Sequence, residues 1–340
     1  MKYTFWNNKG GTGKTSLCFQ TITEYAIKYP EKKILCIDLC PQANLSELML
    51  GGLLGNGGQK LSDLWENDGR NSVGGYFQER LANPYNVQVL DYHQYVSNPS
   101  AFNQDVPVNI DLIAGDRIIE LQANSISALS ITQIPGVDTY IKVVSWLKDL
   151  LDMIPEDETY DEVFIDTNPS FAIYTQIALT AAERLIVPVM ADDSSRRALR
   201  NVFSLVYGLN LPSTIYNQYA YNAKLAAAGL PLPKIHLIAK NRITQYMGPA
   251  SAYHSVLTSI NSDMEAVLQS NPEIFTFNQT SNGIVEVRDF QTTGVVAFAK
   301  ATPFSRLTVG RHNIFGTETQ VRQDYLNNCK DSISNIVNKL

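Results

Sequence analysis

Tyr3-Thr4-Phe5-Trp6 runs directly into Asn7-Asn8-Lys9-Gly10-Gly11-Thr12-Gly13-Lys14-Thr15-Ser16, and a helix-like stretch, Lys14–Lys28, carries on from there. An apolar strand, a glycine-rich loop and a helix in that order make a phosphate cradle. The glycines let the backbone curl so that successive N–H groups point inward, and the helix N-terminus adds its partial positive charge. Lys14 is placed to reach the β- and γ-phosphates of ATP, and Thr15 to set its hydroxyl on Mg²⁺, with Ser16 closing the cradle. The usual G-x-x-x-x-G-K-[ST] spacing fails at its first position, where Asn8 stands. A second lysine, Lys9, appears instead, just before Gly10-Gly11.

Outward from the loop, short apolar runs alternate with helix-length amphipathic stretches, the pattern of a parallel α/β sheet. Strands are expected at Tyr3–Trp6, Ile34–Ile37, Ile110–Ile113, Val163–Ile165, Leu185–Val189 and Ile235–Ala239, several of them apolar throughout as strands buried on both faces are. Helices are expected at Lys14–Lys28, Thr139–Met153, Ala172–Ala182, Ser195–Tyr207 and Ala250–Gln269. The glycine-rich stretch Gly51–Gly58 reads as a flexible surface excursion, and the polar stretch Ser213–Pro233 as an insertion. The expected organisation is one elaborated domain over residues 1–340, with insertions near 51–105 and 211–232.

With Lys9 in place the loop resembles the deviant Walker A motif, K-G-G-x-G-K-[ST], of the ParA/MinD family of partition and positioning ATPases. Asn7-Asn8 brings it nearer the ParA branch. The resemblance implies a doubly wound, mostly parallel α/β P-loop NTPase with helices on both faces and ATP at the strand C-terminal ends. It also implies that Lys9 crosses a dimer interface to the partner's nucleotide. Ile37-Asp38-Leu39-Cys40-Pro41-Gln42-Ala43-Asn44 resembles the family's D-x-D-P-Q-x-N segment, and Ile165-Asp166-Thr167-Asn168-Pro169-Ser170 resembles its Walker B segment. Carboxylates at the ends of buried strands can hold Mg²⁺ through water, so Asp38 and Asp166 are the metal candidates. Ile238-Ala239-Lys240-Asn241-Arg242 resembles the strand end whose asparagine contacts adenine, which makes Asn241, with Arg242 beside it, the base-reading candidate.

One departure concerns chemistry. Where the family has a second aspartate that positions the attacking water, this chain has Cys40. A thiol is a poorer acceptor than a carboxylate and is mostly neutral at ordinary pH. Either Asp38 or Gln42 takes over that task, or hydrolysis is slow and the ATP-bound dimer long-lived.

The 340 residues are 44% hydrophobic and 18% charged, enough for a large core, with a net charge of −6. That balance excludes a dedicated basic nucleic-acid binder, so any DNA contact must come from a local patch. The candidates are Arg288, Lys300, Arg306 and Arg311, with a second cluster at Arg196, Arg197 and Arg200. Cys18, Cys36, Cys40 and Cys329 form no C-x-x-C pair, and neither a signal peptide nor an apolar run of spanning length is visible, so the expected compartment is the cytoplasm. Ile333, Ile336, Val337 and Leu340 have helical spacing but few nearby cations, which suits packing on the sheet better than a membrane surface. The leading expectation is a ParA-like ATPase that dimerises on ATP, binds nonspecific DNA and is stimulated by a ParB-like partner. The alternatives are a MinD-like membrane regulator and a metabolic ATP-dependent enzyme on the same fold.

Overall fold

Strand β2 (Ile34–Leu39) is buried at all six positions, and its side chains alternate between two separate cores. Leu35, Ile37 and Leu39 enter one, while Ile34 and Cys36 enter the other. β5 (Glu162–Thr167) does the same with Val163 and Ile165 against Phe164. Period-two side chains that are apolar on both sides require a layer of helices on each face, and this sequence supplies both. The computed structural model describes residues 1–87, 89–243 and 252–340.

The other strands are β1 (Lys2–Phe5), β3 (Val96–Ser97), β4 (Ile110–Ile113), β6 (Arg184–Met190), β7 (Lys234–Ile243) and β8 (Ile284–Arg288). They form an eight-stranded sheet in the order β3-β4-β2-β5-β1-β6-β7-β8. All its pairings are parallel except the antiparallel edge β3–β4. A separate hairpin joins β9 (Gly310–Ile314) to β10 (Thr317–Val321). Helices Lys14–Lys28 and Gln323–Val337 lie on one face, and Ile173–Ala181, Asp193–Tyr207 and Ala252–Ser270 on the other. The fold is the expected doubly wound, mostly parallel P-loop architecture. With β1 central, its loop emerges between the ends of β5 and β6, where the strand order reverses and open α/β sheets place their ligands.

Two sequence expectations change, and part of a third lies outside the described residues. The single helix over Thr139–Met153 is two, Thr139–Val144 and Trp146–Asp152, because Ser145 turns the chain to bury Trp146, whose Nε1 donates to Pro84 O at 2.9 Å. The Gly51–Gly58 stretch is a packed turn. Gly52 has φ +59°, and a Cβ there would stand 2.9 Å from the Phe298 carbonyl oxygen. Its own carbonyl accepts from Gly57 N, the first residue of helix Gly57–Glu66. The predicted helix at Ala250–Gln269 is described from Ala252 to Ser270, so Ala250 falls outside the described residues.

Candidate nucleotide site

The loop is fixed before any ligand arrives. Asn7, fully buried, donates from Nδ2 to Pro188 O at 2.7 Å and accepts from Lys9 N at 3.1 Å, which ties the loop entrance to β6. Gly13, at φ +85°, starts the helix. A Cβ there would fall 2.2 Å from Asn241 Nδ2, so only glycine fits. Lys14 lies under the loop, and its Nζ donates to Lys9 O at 3.2 Å. Burial lowers its pKa, while Asp166 and Cys40 oppose that fall.

Asp38 and Asp166 are register partners across β2 and β5, both fully buried. Burial raises both carboxyls well above the ordinary carboxylate range, and Asp38 raises Asp166 further. They are not equivalent, however. Asp38 Oδ1 accepts from Cys40 N at 3.1 Å, and Oδ2 accepts from Ser46 N at 2.9 Å and Ser46 Oγ at 2.8 Å. Asp38 therefore fixes the 38–46 turn, and its place as a metal ligand is the weaker of the two. Asp166 Oδ2 accepts from Thr15 Oγ1 at 2.7 Å, while Asp166 Oδ1 is buried without a hydrogen-bond partner among the described residues. An orphaned carboxylate oxygen beside a threonine hydroxyl fits a Mg²⁺ ion held through water, and such an atom is otherwise costly to bury. Thr12 Oγ1 is likewise buried and unpartnered.

Cys40 is 7% exposed at the mouth of this carboxylate pair. Burial, then Asp38 and Asp166, push its thiol up to about 12, so it is neutral at physiological pH. Neither Asp38, saturated by Ser46 and Cys40, nor exposed Gln42 makes a contact that marks it as a replacement.

Lys9 does not point away from its own chain. Its Nζ donates to Asp192 Oδ1 and Oδ2 at 2.7 and 2.5 Å, and to Ser195 Oγ at 3.1 Å. Asp192 also caps helix Asp193–Tyr207 by accepting from Ser195 N at 2.7 Å. Although burial pushes Asp192 upward, Lys9, Ser194 and the Ser195 amide hold it at about 2. Asn8 and Lys9 share an open cleft of about 390 Å³ with Arg197 and Arg200 of that helix.

Asn241 stands against the loop. Its Nδ2 donates to Thr12 O at 2.9 Å, and its Oδ1 accepts from the following Arg242 N at 2.9 Å, so the amide ties the end of β7 to the loop. It borders a cleft of about 330 Å³ with Gly13, Ser16 and Arg242, whose far wall is Asp289, Phe290 and Gln291. Those three follow β8 and were missed in the sequence. Their only signal was the short alternation Ile284–Arg288, which would have put another strand end at the site.

The cationic candidates are mostly tethered. Arg196 and Arg200 both fork onto Asp263, at 2.8 and 2.9 Å, so that cluster is not a free patch. Arg197 pairs with Asp193 and Arg311 with Glu318. Lys300 Nζ lies 3.1 Å from His312 Nδ1, and Arg306 Nη1 donates to Gln104 O at 2.9 Å. Arg288 is exposed at the end of β8.

Cradle, buried lysine and orphaned carboxylate at the end of a central parallel strand define a P-loop nucleotide-binding protein. Residues 2–211 match the family described as AAA domain (AAA_31), and the chain belongs to that ParA/MinD-type P-loop family. It is 29% identical over 208 residues to cell division protein PomZ of Myxococcus xanthus (strain DK1622). That match covers 60% of this chain, and the chain spans about half the length (51%) of that relative. Among solved structures, the fold resembles a putative plasmid partition protein from Borrelia burgdorferi B31 bound to AMPPNP. There the TM-score is 0.56 with 17% identity, covering 100% of this chain and 98% of that one. It also resembles an ATP complex of McdA from Cyanothece, with TM-score 0.61 and 14% identity, covering 98% and 95%. The family is one of ParA-like partition and positioning ATPases.

Proposed function

We propose that the chain works as one ParA-like positioning ATPase unit that closes into an ATP-sandwiched homodimer. The observation that carries this reading is Lys9. A second loop lysine, redundant for its own cradle, is held at the cleft beside the loop by Asp192 and Ser195 instead of lying over the phosphate site. A lysine parked there can reach a second chain once it leaves Asp192.

Mg²⁺-ATP would supply the phosphoanhydride and the metal charge that lets both buried carboxyls ionise. The loop amides of Gly10 through Thr15 would cradle phosphate and Lys14 would neutralise it from beneath. Thr15 and Asp166 would hold the metal, the Asp166 carboxylate through water. Asn241 braces the loop through Thr12 O, and the cleft it borders with Gly13 and the Asp289–Gln291 segment would take the base. Cys40 offers the attacking water only a neutral thiol, and Asp38 is taken up by Ser46. Slow hydrolysis and a long-lived dimer are therefore favoured over replacement by Asp38.

The dimer would bind nonspecific DNA through Arg288, Lys300, Arg306 and Arg311, with a ParB-like partner stimulating hydrolysis, in a cytoplasmic, nucleoid-associated protein. The burial of Ile333, Ile336 and Val337 in the core supports DNA over a membrane as the surface used. Among the described residues no helix is long and apolar enough to cross a membrane. Light scattering with and without a non-hydrolysable ATP analogue and Mg²⁺, followed by binding to duplexes of unrelated sequence, tests the reading. A chain that stays monomeric with saturating analogue refutes the sandwich. Equal DNA binding with and without nucleotide refutes the switch.

A further inference from the structure

The polar stretch Ser213–Pro233 folds into a short turn, Thr214–Tyr219, and a helix, Tyr221–Ala227. Together they roof a cavity of about 900 Å³ on the opposite face of the sheet from helix Lys14–Lys28. Its walls come from the end of helix Ile118–Ile131, the start of Ile173–Ala181 and the end of Asp193–Tyr207. That volume lies in the range of small-molecule sites. The lining is largely apolar and aromatic, with Ile131, Tyr140, Phe171, Tyr216 and Tyr219 among it. Ile131, Tyr216 and Tyr219 are 75%, 52% and 66% exposed, an apolar rim that a folded chain keeps open to water only at a free-energy cost.

Part of the polar wall is satisfied internally. Tyr140 Oη donates to Gln176 Oε1 at 2.6 Å, and Gln176 Nε2 donates to Phe171 O at 3.1 Å. Lys224 is the one cation of the described lining. Its ammonium lies 3.9 Å from the centroid of the Tyr140 ring and makes no ion pair or hydrogen bond among the described residues. Burial lowers its pKa, with Asp138 acting the other way, and Asp138 already accepts from Ile141 N at 3.1 Å as a helix cap. A half-buried cation held on an aromatic face, at the wall of an apolar chamber, has Asp138 in its field but no anion in ion-pair contact among the described residues.

We infer that this cavity binds a small organic anion with an aromatic-sized apolar body, its anionic group seated on Lys224 and its body between Phe171 and the tyrosines of the 214–221 roof. None of its lining residues belongs to the phosphate cradle, and the inference is independent of the positioning-ATPase reading.

The test is fluorescence titration of the full chain, with saturating Mg²⁺-ADP filling the nucleotide cleft. One probe is 1-anilinonaphthalene-8-sulfonate and the other its neutral analogue N-phenyl-1-naphthylamine. The sulfonate probe should bind with one site per chain. Lys224→Met should weaken it by about tenfold, the scale of one lost charge-assisted hydrogen bond, and leave the neutral probe within about twofold. Lys224→Arg should retain the sulfonate probe, and Tyr216→Ala should weaken both, with melting curves confirming that each variant is folded. No saturable binding, or sulfonate binding indifferent to Lys224→Met, overturns the inference. Equal loss of both probes in Lys224→Met also overturns it, since the lysine would then contribute only packing.

Discussion

Cys40→Asp places a third carboxyl beside Asp38 and Asp166. The present thiol is raised from its ordinary value of 9.0 to about 12, a penalty of about 4 kcal/mol against an anion at this position. Burial is its main cause and the two carboxyls the next, so an aspartate inherits most of it. Its folded-state pKa then lies above its unfolded value near 3.9. The nucleotide-free variant loses stability as pH rises through that interval, and the loss levels off once the group is ionised near neutrality. Relative to the parent, the melting temperature should be about 2 °C lower at pH 5 and about 6 °C lower at pH 8, as upper figures for a chain of this size. An ionised carboxylate there stands near the γ-phosphate position, so the variant's ATP affinity should fall somewhat at pH 8. Single-turnover hydrolysis in the preformed dimer should accelerate at pH 8, where the carboxylate can hold the water, and much less at pH 6. A melting deficit equal at pH 5 and pH 8 would show that neither burial nor the two aspartates raises a carboxyl at position 40. An unchanged rate in Cys40→Asp, with hydrolysis abolished in Asp38→Ala, would assign the water to Asp38.

The other predictions are more direct. Lys9→Ala should abolish the ATP-dependent rise in molecular mass while leaving nucleotide affinity within about threefold; Lys14→Ala should lower that affinity itself, and isothermal titration separates the two. Asp166→Asn should remove the Mg²⁺ dependence of ATP binding. Because the raised Asp166 carboxyl binds a proton on folding, apo stability should fall in the parent as pH rises from about 4 toward neutrality, and this variant should flatten that slope in thermal melts. Replacing Arg306 and Arg311 together with alanine should weaken ATP-dependent DNA binding equally for all sequences and make it less salt-sensitive, by a slope change of about 2 in log K against log salt. A loss confined to one sequence would refute a phosphate contact.

The parts of the molecule legible in the sequence are those set by local pattern. Lys14–Lys28 begins and ends where glycine and periodicity put it, and Ile110–Ile113 is a strand at the expected residues. β2 and β5 each extend past their apolar runs, to Leu39 and Thr167, because strand pairing continues through Asp38 and Asp166. The less legible parts depend on partners far apart in the chain. Nothing near Asp38 announces that Ser46 will saturate it, and Lys9 and Asp192 meet across 183 residues. β8 was missed because five residues with exposed Glu286 and Arg288 carry little strand signal, and with it went the segment facing Gly13. Asn241 was found by its place at a strand end, but its hydrogen bonds turn it toward the loop.

The lysine held by Asp192 also bears on the timing of assembly. In the proposed dimer, only the fraction of chains whose Lys9 has left Asp192 is competent to associate. The pair is partly exposed, at 22% and 38% of the side chains, so its strength belongs with surface pairs of about 0.5–1 kcal/mol. At that strength the lysine is free roughly 15–30% of the time, and association slows by a few-fold. Asp192 is thus a brake and not a lock: raising salt, which screens the pair, should release it before it weakens the phosphate cradle buried behind it.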